Sequence, residues 1–135
     1  MKVVVDASVA LKWVLSEAGT EAALALRGEE LIAPSLWLAE ATNALWRGVR
    51  LGELTLAEAA EFLDELIKAP VASLPMEPHL HAALALAVEF QHPIYDCIYL
   101  ALALQQDTRV VTADRRFAAI ADRDDMKDRI HLLGT

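Results

Sequence analysis

Two short runs decide the reading of this chain: Lys2-Val3-Val4-Val5-Asp6, and Arg109-Val110-Val111-Thr112-Ala113-Asp114 far along it. Half of all the valines fall in these two runs. Unbroken β-branched runs of this kind predict short parallel strands buried on both faces. Working outward, helix and strand alternate. A helix is expected from about Ser8, a second over 20–27, and a short strand at Leu31-Ile32-Ala33. Pro34-Ser35 opens a long helix with Ser35 as its N-cap. Thr55-Leu56-Ala57-Glu58 is a capping box that starts a helix running to Ala69, where Pro70 stops it. In that helix Leu56, Ala59, Ala60, Leu63, Leu66 and Ile67 share one face. A strand is expected over Val71 to Leu74, and a helix from Pro78 to about Gln91. His92-Pro93 then breaks the chain before a helix, Asp96 to Gln106, that is apolar almost all round and so predicted to be buried. A helix from about Asp114 follows the second valine run, and Ile130 to Leu133 predicts an edge strand. The alternation gives an α/β class with a mostly parallel sheet. Alanine and leucine supply over a third of the residues, which makes it helix-rich. There is no repeat, low-complexity tract or linker, so residues 1–135 are expected to form one domain.

A chain of 135 residues buries roughly 68% of its unfolded surface. Cys97 is alone, which rules out an internal disulfide and suits a reducing, cytoplasmic compartment. The longest apolar runs fall well short of the roughly 18 residues of a membrane span, and no signal-peptide pattern opens the chain. The net charge of −8, from 20 acidic and 12 basic side chains, argues against holding nucleic acid by bulk electrostatics. It leaves room for a nuclease whose carboxylates are neutralised by metal.

The position of the acids is informative. Open parallel sheets bind ligands beyond the carboxyl ends of their strands. Asp6 ends the first valine run, Asp114 directly follows the second, and Asp96 opens the buried helix between them in sequence. Glu40 lies one turn into the long helix after Ser35, in a polar stripe with Asn43, Arg47 and Arg50. Singly, each acid reads as a cap, a first-turn carboxylate or part of a solvated face. Gathered in one crevice, the four would repel each other unless a hard cation such as Mg²⁺ sat between them.

These segments resemble the PIN-domain ribonucleases. The blocks are Val3-Val4-Val5-Asp6-Ala7-Ser8; the run from Pro34 to Leu45 with Glu40 and Asn43; Ile94-Tyr95-Asp96-Cys97-Ile98-Tyr99-Leu100-Ala101-Leu102-Ala103; and Val110-Val111-Thr112-Ala113-Asp114-Arg115-Arg116-Phe117. Within that family the chain is most similar to VapC, the toxin half of a toxin–antitoxin pair. The resemblance implies a three-layer sandwich around the sheet. It also implies that Asp6, Glu40, Asp96 and Asp114 bind Mg²⁺ or Mn²⁺ and promote water attack on an RNA phosphodiester, leaving a 5′ phosphate and a 3′ hydroxyl. Ser8, Asn43 and Thr112 match positions that orient those acids. A cognate antitoxin gripped by the helical hairpin around Leu51, Leu54, Leu56 and Phe62, and a homodimer, are implied as well.

Lys12, Arg47, Arg50, Arg115 and Arg116 are candidates for phosphate contact. His79 and His81, two apart on a helix, do not share a face and make a poor zinc pair. His92 is expected in a surface loop before Asp96, with an approach to substrate as the alternative, and Cys97 in the core. Trp37 and Trp46, nearly opposite on one helix, are expected packed inside, with a place at a dimer or antitoxin interface as the alternative for at least one. Asp122, Asp124, Asp125 and Asp128 lack the glycine and terminal glutamate of a calcium loop and read as solvated surface. A haloacid-dehalogenase-like phosphatase needs a second carboxylate where Ser8 stands. A receiver domain needs an acceptor Asp after its third strand, which here runs into Leu74-Pro75-Met76. The remaining alternative is a catalytically silent PIN fold that binds protein or RNA.

Overall fold

The computed structural model describes residues 1–123 and 125–135. Its centre is a sheet of β1 (Lys2–Val5), β2 (Glu30–Pro34), β3 (Val71–Leu74), β4 (Val110–Thr112) and β5 (Ile130–Leu132). The strand order is β3-β2-β1-β4-β5, and every pairing is parallel. Val3, Val4, Val5, Val110 and Val111 are at most 1% exposed. Because successive side chains of a strand point to opposite faces, both faces of β1 and β4 are covered. The result is a helix-rich, three-layered α/β architecture. The chain builds β1, β2 and β3 towards one edge and then returns, so that β4 joins β1 on its other side. That reversal opens a crevice at the carboxyl ends of β1 and β4.

The described helices are α1 (Ala7–Ala10), α2 (Thr20–Ala25), α3 (Leu36–Arg50), α4 (Leu56–Lys68), α5 (Leu80–Phe90), α6 (Ile94–Gln105) and α7 (Arg115–Ala118). Every residue of α6 from Cys97 to Ala103 is buried, as an all-apolar helix requires. It packs on β1, β2 and β4, with α5 outside it. In α3, Trp37, Ala41, Leu45 and Gly48 form the buried seam. A Cβ on Gly48 would lie 2.8 Å from Leu54 Cδ1, so the missing side chain lets the turn after α3 fold back upon it.

The capping box forms as expected. Glu58 N–H donates to Thr55 Oγ1 at 3.1 Å, and Thr55 N–H donates to Glu58 Oε1 at 2.9 Å. Ser35 departs from expectation: its backbone is already helical, its side chain makes no cap bond, and its N–H is taken by the Leu74 carbonyl at 2.8 Å. The apolar face of α4 is also narrower than its pattern suggests. Ala59 and Leu66 are buried, with Phe62 and Leu63 half-buried, whereas Leu56, Ala60 and Ile67 are exposed. The reason is that α4 packs chiefly on α3. Trp37 is buried, and its Nε1–H donates to Ser73 Oγ at 2.8 Å. Trp46, expected inside, is 56% exposed with the Arg50 guanidinium 5.2 Å from its ring. Asp122, Asp125 and Asp128 are exposed, as their solvated reading requires; Asp124 lies outside the described residues. Among the described residues no helix is long and apolar enough to cross a membrane.

The two helix starts make a comparison. Thr55→Ala removes a formed cap and is expected to lower the free energy of unfolding by about 1 kcal/mol. Ser35→Ala removes no cap and is expected to stay within about 0.5 kcal/mol of the original. Urea denaturation followed by Trp fluorescence measures both, and equal losses would contradict the assignment.

Candidate active site

Four segments meet at the crevice. A cavity of about 260 Å³ is lined by Asp6, Ser8, Glu40, Asn43, Arg47, Asp96 and Asp114, with Ala7, Leu11 and Ala44. β1 delivers Asp6, α3 delivers Glu40, the first turn of α6 delivers Asp96, and the turn after β4 delivers Asp114. The four acids singled out in the sequence are therefore brought together, Glu40 included.

Asp6 occupies the N-cap position of α1, yet its carboxylate makes no capping bond. Its Oδ2 instead accepts from Ser8 Oγ and from Thr112 Oγ1, both at 2.7 Å. Each hydroxyl is itself fixed from behind. Ser8 Oγ accepts from Ala113 N–H, and Thr112 Oγ1 accepts from Asp114 N–H, both at 3.0 Å. Both hydroxyl protons thus converge on one oxygen of Asp6. Among the described residues Oδ1 receives no hydrogen bond, so it is left facing other chemistry. Asp114 does cap its helix, accepting from Arg116 N–H at 2.9 Å, while still lining the cleft.

Two neighbours of the acids were not assigned to the site from the sequence. The Tyr99 hydroxyl donates to Glu40 Oε1 at 2.6 Å. His92 Nε2 lies 2.6 Å from Asp96 Oδ2, and its side chain is only 7% exposed, 5.8 Å from the Phe117 ring. The surface-loop expectation for His92 is therefore corrected: Pro93 and the start of α6 turn it inward. A signal for Tyr99 did exist, because a phenol in an all-apolar helix must find a partner for its hydroxyl. His92 had only its four-residue spacing from Asp96.

The electrostatics reflect this crowding. Burial pushes Asp6 up to about 6 against the Ser8 and Thr112 hydrogen bonds, and the charges of Asp96 and Asp114 push the same way. Glu40 is pushed up to about 7, first by burial and then by Asp6 and Asp96, against the Tyr99 hydrogen bond. Asp96 is also raised by burial, while His92 acts in the opposite sense. Among the described residues no Lys or Arg forms an ion pair with any of the four.

The basic candidates divide. Arg47 lines the cleft, and the Arg116 charge is felt at Asp96. Lys12 is instead turned to Glu17 Oε1 at 3.1 Å and the Ala18 carbonyl at 2.7 Å. Arg50 lies over Trp46, and Arg115 borders a different depression beside Ala118 and Leu132. Position along the fold explains two of these departures: Arg50 is nearly three turns beyond Glu40, and Arg115 faces the β5 side.

The residues fit a hard divalent cation. All the charged donors are carboxylates, Asp6, Glu40 and Asp96 are partly removed from water, and among the described residues Asp6 and Glu40 have no basic side chain paired with them. No group of three His, Cys, Asp or Glu among the described residues is already drawn together as a cage. Mg²⁺ does not require one, since it keeps most of its waters and takes one or two carboxylates. His79 and His81 make no such group either.

The model of the PIN domain matches residues 3–123. Among curated proteins, Ribonuclease VapC3 of Pyrobaculum aerophilum is 35% identical over 125 residues, covering 87% of this chain and 93% of that one. Exonuclease VapC9 of the same organism is 33% identical over 91 residues, 67% of each chain. The crystal structure of PAE2754 from Pyrobaculum aerophilum superposes with a TM-score of 0.71 at 29% identity, covering 97% of this chain and 83% of that one.

The raised acids give a pH dependence of defined sign. A carboxyl whose folded pKa exceeds its unfolded value holds its proton more tightly when folded, so stability falls as pH rises through that window. For Asp6 and Glu40 the window runs from the ordinary values of 3.8 and 4.5 to about 6 and about 7. In EDTA the chain is expected to melt several degrees higher at pH about 5.5 than at pH about 7.5, by differential scanning fluorimetry. Asp6→Asn with Glu40→Gln is expected to flatten that difference, and an unchanged slope would contradict the assignment.

Proposed function

The chain belongs to the PIN domain family, and we propose that it is a Mg²⁺- or Mn²⁺-dependent endoribonuclease, the toxin of a toxin–antitoxin pair. One observation carries the reading: acids from β1, α3, α6 and the turn after β4 line a single crevice at the strand ends. The names of the two curated relatives, a ribonuclease and an exonuclease, agree with nuclease chemistry.

Asp6, Glu40, Asp96 and Asp114 are the residues that would hold the cation. Bound there, it supplies the positive charge that the attacking and leaving oxygens of a phosphodiester need. The chain's own residues do the rest. Ser8 and Thr112 fix one oxygen of Asp6 and leave the other directed into the cleft. Arg47 meets a substrate phosphate at the rim, where its planar fork offers paired hydrogen bonds, and Asn43 offers an uncharged donor beside it. The acids also set a condition on binding. Without a cation, this cleft repels RNA.

Two surfaces support the partners. A groove of about 510 Å³ between α1–α2 and the α3–α4 hairpin is lined by Val14, Leu15, Gly48, Leu51, Leu54 and Phe62. It shares Ala44 and Arg47 with the cleft, so an antitoxin helix seated there lies beside the catalytic acids. On α5, Leu80, Leu84 and Val88 are 39%, 59% and 73% exposed in one stripe, with Tyr95 close in sequence at 60%. No charged side chain interrupts α5 between His81 and Glu89. An uncharged apolar seam is what a chain of charge −8 needs to meet its own copy without repulsion, and we assign this face to the homodimer. Residues 1–135 are read as one PIN domain working in the cytoplasm, where its RNA is.

Internal cleavage is tested on a circular RNA, which an exonuclease leaves intact. The chain with Mn²⁺ is expected to open it, EDTA to stop the reaction, and Asp96→Asn to slow it by at least roughly 100-fold. Opening that survives EDTA, or that Asp96→Asn leaves untouched, contradicts the mechanism. Leu84→Glu with Val88→Glu is expected to convert dimer to monomer by light scattering after gel filtration; an unchanged mass removes α5 from the interface.

A further inference from the structure

α6 does more than contribute Asp96. Tyr99 lies three residues further along the same helix, and residues three apart on a helix are neighbours on its surface. Its side chain is fully buried, and its one polar atom is directed at Glu40, an acid belonging to a different helix. A buried phenol can satisfy itself on a backbone carbonyl, at no electrostatic cost. Here it is placed between two parts of the cleft instead. Its oxygen donates to Glu40 Oε1 at 2.6 Å. The Ala7 backbone N–H, immediately after Asp6, lies close enough to favour negative charge on that same oxygen. One hydroxyl therefore ties α3 to α6 beside the end of β1.

The consequence is geometric. α6 packs on β1, β2 and β4, the three middle strands of the sheet. Glu40 is half-buried, on a helix whose outer face is solvated. A glutamate side chain there has three rotatable bonds and no basic partner among the described residues. Fixing one carboxylate oxygen removes most of that freedom and leaves Oε2 as the oxygen free to take a ligand. We propose that Tyr99 is a positioning residue, its hydroxyl holding Glu40 Oε1 so that Oε2 is presented to the cation and substrate side of the cleft. The proposal rests on the cation-dependent reading above and adds to it a residue that touches neither metal nor RNA.

The test is a double-mutant cycle read by calorimetric titration of Mn²⁺ into the EDTA-stripped full chain. Tyr99→Phe deletes one oxygen and keeps the packed ring, and melting followed by Trp fluorescence checks its fold. It is expected to weaken Mn²⁺ binding by roughly 10-fold or more. In a Glu40→Gln background the same substitution is expected to change the affinity by less than about 2-fold, because Tyr99 acts through the Glu40 carboxylate. With RNA, Tyr99→Phe is expected to lower kcat at saturating Mn²⁺ and leave KM near its original value. A Tyr99→Phe chain that binds Mn²⁺ as tightly as the original overturns the positioning role and leaves the cation reading intact. So does an equal loss in both backgrounds, which a merely structural role produces. An original chain that takes up no Mn²⁺ overturns both.

Discussion

Carboxylates held partly out of water, near enough to feel one another's charge and with no Lys or Arg between them, are the constraint on which the rest of this molecule depends. Burial alone disfavours the ionised form of Asp6, Glu40 and Asp96, and the charge of the neighbouring acids pushes each the same way. Such a cluster survives in a folded chain only if the surroundings over-determine it. Here they do. Ser8 and Thr112 grip Asp6, each braced by a backbone N–H, and Tyr99 and His92 grip Glu40 and Asp96. The apolar strands beneath, sealed on both faces, keep those grips from relaxing.

Topology supplies the meeting place. Because β4 returns to the far side of β1, residues separated by more than a hundred positions become neighbours, and Thr112 reaches Asp6 directly. Stability and function oppose each other at this point. Substituting the acids relieves repulsion, and it also removes the donors on which the chemistry rests.

Much of this was legible in the residues themselves, for physical reasons. Valine runs closed by Asp6 and Asp114 announce buried parallel strands, and the end of such a strand is where an open α/β sheet binds ligand. The Thr55–Glu58 capping box is a local motif, so it formed as read. Glu40 was different: its stripe with Asn43, Arg47 and Arg50 looked as much like an ordinary solvated face, and the family resemblance was needed to give it a metal-binding role. The misreadings share a cause. Ile67 and Trp46 are apolar, and pattern alone cannot tell a core from a surface awaiting a partner. Ser35 and His92 are polar residues whose partners lie elsewhere in the fold, at Leu74 and in the turn into α6. Lys12, Arg50 and Arg115 depend on helix phase and on nearby acids, which spacing along the chain does not convey.

The central claim is that these acids share a divalent cation. The most direct measurement is anomalous diffraction at the manganese edge from crystals grown with Mn²⁺. The account predicts a strong peak in the crevice within coordination distance of Asp6 and Asp96, with Glu40 facing it. A well-ordered crevice without a peak, or manganese bound only elsewhere, would contradict it.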